Sequence, residues 1–199
     1  MALCYIHRMK TALLASYEKD SSLLRLAELL HREGWELLGS QGTAKYLRGT
    51  GIPCRDISDL VGPPIMGHRV VTLARKVYAA LLGVTAEDYR ELDRINVRPI
   101  NLVYVTLYPL EQAIADNEPE SKVLEKTDIG GPTLLRAAGK GRRLALSHPA
   151  QIEELEAWLT RGSPESEREA LTLRFAAAAE RRVADYVDAS ARYWESKVT

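Results

Sequence analysis

The sequence predicts an α/β fold built on a parallel sheet, and three observations carry that prediction. A short apolar run ending in small residues, 11–16, is followed by a helical pattern. The same order of strand, small-residue turn and helix returns at 35–51, so it occurs twice within the first 50 residues. The run 101–107, Asn-Leu-Val-Tyr-Val-Thr-Leu, is rich in β-branched residues and reads as the clearest buried strand.

Taken in order, Thr-Ala-Leu-Leu-Ala-Ser at 11–16 is the first strand. Lys19-Asp20-Ser21-Ser22 then precedes a helix with Leu23, Leu26, Ala27 and Leu30 at helical spacing, closed by Gly34. The second strand, 35–39, runs into Ser40-Gln41-Gly42-Thr43 and a helix through Ala44, Tyr46 and Leu47 to Gly51. Residues 52–59 read as a third strand, which Pro53 places near an edge or a strand start. Gly62-Pro63-Pro64 makes a loop, and the segment holding Met66, Arg69, Val70, Val71, Thr72 and Leu73 leads into a helix to Leu82. A charged helix is expected over 86–95, and Tyr108-Pro109 ends the strand at 101–107 before a helix over 110–116. Residues 142–147 read as a last strand and 150–159 as a helix. Gly162-Ser163-Pro164 marks a joint, dividing a body (1–162) from a helical tail (163–199). In the tail, Val183, Tyr186, Val187, Tyr193 and Trp194 form an apolar face that must pack on the body or on a second subunit.

Composition narrows the partners. The 199 residues carry 27 basic and 27 acidic side chains, which argues against nucleic acid or an anionic membrane held by bulk charge. Residues 1–10 are too short and mixed for a signal peptide, and no apolar run approaches the ~20 residues of a membrane span. Cys4 and Cys54, far apart and without metal-ligand neighbours, fit a reducing compartment, so the cytoplasm is expected. His7, His31, His68 and His148 have no metal-site spacing, and neither a P-loop nor a dinucleotide fingerprint occurs.

The stretch richest in chemistry is 127–140, Thr-Asp-Ile-Gly-Gly-Pro-Thr-Leu-Leu-Arg-Ala-Ala-Gly-Lys. It combines the carboxylate of Asp128, the glycines Gly130 and Gly131, a proline suited to a helix start, and Arg136 and Lys140 four residues apart on one helical face. Two readings stand side by side: a Gly-Gly helix entry with charges facing water, or a site for a polar, anionic ligand. Ligands of parallel sheets bind beyond the carboxyl ends of strands. That rule groups this stretch with 16–19, the turn 40–43 and Tyr108. Ser40, Gln41, Gly42 and Thr43 at a helix start, with Lys19 nearby, suit a phosphate. Ser40 and Thr43 read equally well as ordinary N-caps, Asp128 as a cap or turn residue and Lys19 as a solvated lysine.

The turn 39–45, the run Arg69-Val70-Val71-Thr72-Leu73, the strand end 103–109 and the stretch 128–140 together resemble IMP cyclohydrolase. That is the N-terminal half of a bifunctional purine-biosynthesis enzyme, with a three-layer methylglyoxal-synthase-like fold. The resemblance covers essentially the whole chain, tail included. It implies ring closure of 5-formamidoimidazole-4-carboxamide ribotide to IMP, with loss of water and no cofactor or metal. It implies Asp128 as the acid–base carboxylate, with Tyr108 and Lys140 orienting the ring and stabilising charge. Lys19, Ser40, Gln41, Gly42, Thr43, Arg69 and Thr72 would hold the ribose phosphate, with Gly130 and Gly131 at the substrate. A homodimer and a separate transformylase are expected partners, since the family's transformylase half has no counterpart here. The chain departs from the family at five places, one of them the first-strand end Ala15-Ser16-Tyr17, where the family carries serines more regularly. Val71 and Ala74 stand where it has lysine and histidine, Gln41 replaces a glycine, and Thr106 replaces an asparagine. The charge of the missing lysine is then supplied by the remaining residues or by Lys76, or the reaction is slowed.

Overall fold

The computed structural model describes residues 9–67 and 69–198, so Cys4, His7 and His68 lie outside the described residues. The chain centres on β1 (Thr11–Ser16), whose Ala12, Leu13 and Leu14 are wholly buried. A strand flanked by helical layers on both faces needs apolar residues at every position rather than at alternate ones. Ala12 and Leu14 enter one core and Leu13 the other. β4 (Leu102–Thr106) divides in the same way, Leu102 and Tyr104 against Val103 and Val105.

Five parallel strands form one sheet in the order β3-β2-β1-β4-β5, with β2 at Glu36–Gly39, β3 at Arg55–Asp56 and β5 at Leu144–Leu146. One face carries α1 (Ser21–Arg32), α2 (Gln41–Gly49) and α9 (Gln151–Thr160). The other carries α4 (Arg75–Leu82), α5 (Ala86–Arg94), α6 (Leu110–Ala115), α7 (Glu120–Glu125) and α8 (Gly130–Lys140). α3 (Ser58–Val61) is a single turn after β3. The result is the expected three-layer α/β sandwich.

Several elements differ from expectation. The third strand shrinks from 52–59 to two residues. Pro53 has no N–H to give to a ladder, and the Asp56 carboxylate accepts the Ser58 N–H at 2.9 Å, turning the chain into α3. It is nevertheless an edge strand. α7 was not foreseen, because six residues with one buried position, Val123, carry too little periodicity.

The tail is one helix, α10 (Glu165–Glu195). Its buried stripe is Leu171, Phe175, Ala179, Val183 and Tyr186, whereas Val187 and Trp194 are about half exposed, contrary to the apolar face expected. Each four-residue step overshoots a helical turn by about 40°, so the three-residue step to Tyr186 returns to the stripe and Val187 falls off it. Leu171 and Phe175 join one core, and Ala179, Val183 and Tyr186 the other. α10 therefore passes along the β5 edge, packing on β5, α8 and α6, and shields a flank that would otherwise be open to pairing. No described helix is long and apolar enough to cross a membrane.

Phe175, 1% exposed, is one of the two fully buried aromatics of this docking, with Tyr186. Phe175→Ala should lower stability by about 3–5 kcal/mol, read as a fall in the urea midpoint with unchanged slope. An unchanged midpoint would show that α10 contributes nothing to the body.

Candidate functional site

The strand order reverses direction between β1 and β4, and a crevice opens there at the carboxyl ends. It holds a cavity of about 540 Å³ into which β1, β2 and β4 all deliver their ends. Lys19, Ser40, Gln41, Gly42, Arg69, Thr72, Tyr108, Asp128, Gly130 and Gly131 line it. Ten residues scattered over 113 positions are thus gathered on one wall set by the sheet.

At one end lies the turn into α2. Ser40 is its N-cap but gives no side-chain bond to the helix amides; its hydroxyl donates to Thr43 Oγ1 at 3.0 Å. The first amides of α2 are left to a ligand in the cavity, the arrangement that favours an anion. Thr43 is buried behind the turn and does not line the cavity. It bonds the Ser16 carbonyl and accepts the Ser16 N–H, both at 3.3 Å, tying the turn to β1. Its role is to fix the turn. Gly39 allows the close fit: a Cβ there would lie 2.9 Å from the Ala44 amide nitrogen. The Lys19 ammonium lies over Gly42 and donates to the carbonyls of Ser16 and, at 3.1 Å, Tyr17. Partial burial lowers its pKa. Arg69 reaches across the cavity mouth to Glu125 at 3.3 Å. That pair is exposed, so it costs little to exchange Glu125 for a ligand anion.

At the other end stands Asp128. Its carboxylate, one residue before the N-cap Ile129, accepts the N–H of Gly131, the second residue of α8, at 2.8 Å. One carboxylate thus ties down the first turn of α8 and lines the cavity. Gly130 and Gly131 serve close approach. A Cβ on Gly131 would meet the Asp128 carboxylate at 2.4 Å and Leu107 at 2.6 Å; one on Gly130 would meet Thr72 Oγ1 at 3.0 Å. Pro132 sits within the first turn of α8 rather than opening it. Burial pushes the Asp128 carboxyl above the ordinary carboxylate value, partly offset by backbone N–H bonds from Gly131, Tyr108 and Gly130. Burial also raises the Tyr108 phenol, and the nearby charges of Asp128 and Glu125 add to it. Tyr108 packs on Tyr17 with ring centroids 5.1 Å apart.

Lys140 is the expected residue that the fold does not bring in. It lies at the far end of α8, exposed, outside the cavity. Ten helical residues separate it from Gly130, a rise of about 15 Å, beyond the reach of a lysine side chain. Lys76 is likewise exposed and outside the cavity. Val71 lines the wall with an apolar side chain. The grouping of 16–19 with the site took in Tyr17 without singling it out as a wall of the cavity, and Glu125 as the partner of Arg69 was missed. Tyr17 follows the first strand directly, which was signal enough; Glu125 lies in the unforeseen α7.

A family described as "MGS-like domain" matches residues 22–133. The bifunctional purine biosynthesis protein PurH of Rippkaea orientalis is 40% identical over 135 residues, 66% of this chain and 26% of that protein. PurH of Corynebacterium glutamicum is 36% identical over 195 residues, 95% of this chain and 36% of that protein. The chain thus spans about a quarter to a third of the length of these curated relatives. A solved structure, that of ForH, superposes with a TM-score of 0.77 at 31% identity, covering 92% of this chain and 97% of that one.

The raised Asp128 carboxyl has a consequence for stability. A folded-state pKa above the unfolded one stabilises the fold below the unfolded value and loses that contribution as pH rises through the folded value. Asparagine keeps the cap acceptor but cannot ionise. The stability of Asp128→Asn relative to wild type should therefore grow as pH rises from below 3.8 toward neutrality. Urea midpoints of both proteins at pH 3.5 and 7.5 would measure it; a variant-minus-wild-type midpoint that falls from pH 3.5 to 7.5 contradicts the raised pKa.

Proposed function

We propose that this chain, which belongs to the family of MGS-like domains, catalyses the dehydrative ring closure of 5-formamidoimidazole-4-carboxamide ribotide to IMP, a step of purine biosynthesis. The observation that carries the reading is the pairing of Asp128 and Tyr108 at one end of a cavity whose other end is an open helix N-terminus with Lys19 and Arg69. The identity to PurH over 195 residues, tail included, supports it.

In this reading the ribose phosphate sits on the turn 40–42, with Lys19, Arg69 and Thr72 around it. The carboxamide nitrogen attacks the formyl carbon, forming the C–N bond while the formyl oxygen takes the electron pair of its C=O bond. Asp128 accepts the proton leaving nitrogen and Tyr108, held as a phenol, gives one to the oxygen. Loss of that oxygen as water, with the second nitrogen proton, leaves the C=N bond of IMP. Nucleophile and electrophile belong to one molecule, so holding it in the reactive geometry supplies much of the rate. The substrate is a formylated amine, so a formyl-transfer reaction must precede this one.

A second reading, a nucleotide-binding domain without turnover, is favoured by Val71, which leaves the wall apolar where the resemblance has a lysine. Incubating the protein with the formamido ribotide and following IMP separates the two. Tight IMP binding with no turnover would leave only the second. Asp128→Asn should abolish turnover while IMP affinity stays within about threefold, because phosphate binding rests on the other end. Tyr108→Phe should lower kcat by roughly 10²–10³. Equal loss of binding and turnover in Asp128→Asn would make Asp128 structural.

A further inference from the structure

The segment carrying Asp128 is a short link between α7 and α8, and its backbone is held from outside its own neighbourhood. The Tyr186 hydroxyl, projecting from α10, accepts the Asp128 N–H at 2.8 Å and donates to the Lys126 carbonyl at 2.8 Å. One phenol thus satisfies the main chain on both sides of Thr127, using its single donor and one acceptor position. Thr127 is tied locally, its N–H to the Leu124 carbonyl at 3.1 Å and its hydroxyl to that of Val123 at 3.0 Å.

Tyr186 is itself fixed. Its ring is 1% exposed, and the Arg182 guanidinium lies 5.3 Å from its centroid while pairing with Glu111 of α6 at 2.5 Å. Burial holds the phenol protonated, so it remains a donor. Asp128 is then clamped twice: Tyr186 sets its backbone, and the Gly131 N–H sets its carboxylate.

We propose that Tyr186 is a positioning residue for Asp128, through which the C-terminal helix holds the carboxylate in the cavity at its working angle. Its kinetic consequence rests on the cyclohydrolase reading. Small displacements matter in ring closure, because a shift of about 1 Å in a reacting group can cost roughly 10²-fold in rate.

Tyr186→Phe keeps the buried ring and removes only the hydroxyl. It should lower kcat by roughly 10- to 100-fold, with KM for the ribotide within about twofold. It should also speed hydrogen exchange at the Gly131 amide, the proton held by the Asp128 carboxylate, by roughly tenfold, as expected for one lost hydrogen bond. Val183→Ala, one turn earlier on the same buried stripe, is the control for general loosening of α10 and should change neither quantity. An unchanged kcat with unchanged Gly131 exchange overturns the proposal, as does a Val183→Ala variant that reproduces both effects. If the wild-type protein shows no turnover, the cyclohydrolase reading fails and exchange alone decides. Faster Gly131 exchange in Tyr186→Phe but not Val183→Ala then upholds the positioning role, and equal exchange in both removes it.

Discussion

The Asp128 carboxylate folded back onto the Gly131 N–H is the contact on which the rest of the site depends. A capping bond of this kind is worth about 1 kcal/mol in an ordinary helix. Here it also fixes where a buried acid points. The contact needs three things at once. Residue 131 must lack a side chain, since a Cβ would occupy the space of the carboxylate and of Leu107. β4 must end so that Leu107 supports the loop and the Tyr108 N–H can reach the same carboxylate. The link 126–128 must be held at the right height, which the Tyr186 hydroxyl does from α10. Sheet, helix N-terminus and tail helix thus meet in one side chain.

How much of this was legible in the sequence follows from how local each signal is. The strands 11–16 and 101–107 announce themselves because a strand buried on both faces must be apolar throughout. Their placement as neighbours brings Tyr17 beside Tyr108, a contact between residues 91 positions apart that no window of sequence contains. The cavity residues from Lys19 to Gly131 were reachable through motifs and the strand-end rule. Lys140 was not testable in that way. A motif records order along the chain, whereas a helix converts ten residues into a long axial displacement and carries that lysine out of the cavity. α10 shows the same limit. Its stripe is set by what β5, α8 and α6 offer, so Tyr186 turns inward while the more apolar Val187 is left exposed.

The cavity separates its charges by kind as well as by distance. At the end formed by the turn into α2 the cations are lightly held. Lys19 donates to backbone carbonyls, which bring no full negative charge, and Arg69 pairs with Glu125 on an exposed rim. An incoming dianion replaces carbonyls and a solvated carboxylate, both cheap to displace. At the Asp128 end the groups are tightly held: Asp128 by the Gly131 amide and Tyr108 by the wall and Tyr17. In the proposed reaction the ribotide enters by its phosphate without disturbing the geometry that its ring then meets.

The apolar Val71 alters the electrostatics between those ends rather than the geometry. With no cation at that wall position, the charge on Asp128 is felt by Tyr108 without a neighbouring ammonium to screen it. Burial, with the Asp128 charge adding to it, raises the phenol pKa, and burial raises the carboxyl pKa above its ordinary value. In the proposed reaction the two groups serve as an acceptor beside a donor, the division of labour that proton transfer from nitrogen to oxygen requires. What the pair lacks is a fixed positive charge for the oxygen while it carries the electron pair. That burden falls on Tyr108 alone, which makes the precision of its distance to Asp128, and so of the clamp from α10, the controlling variable of the proposed reaction.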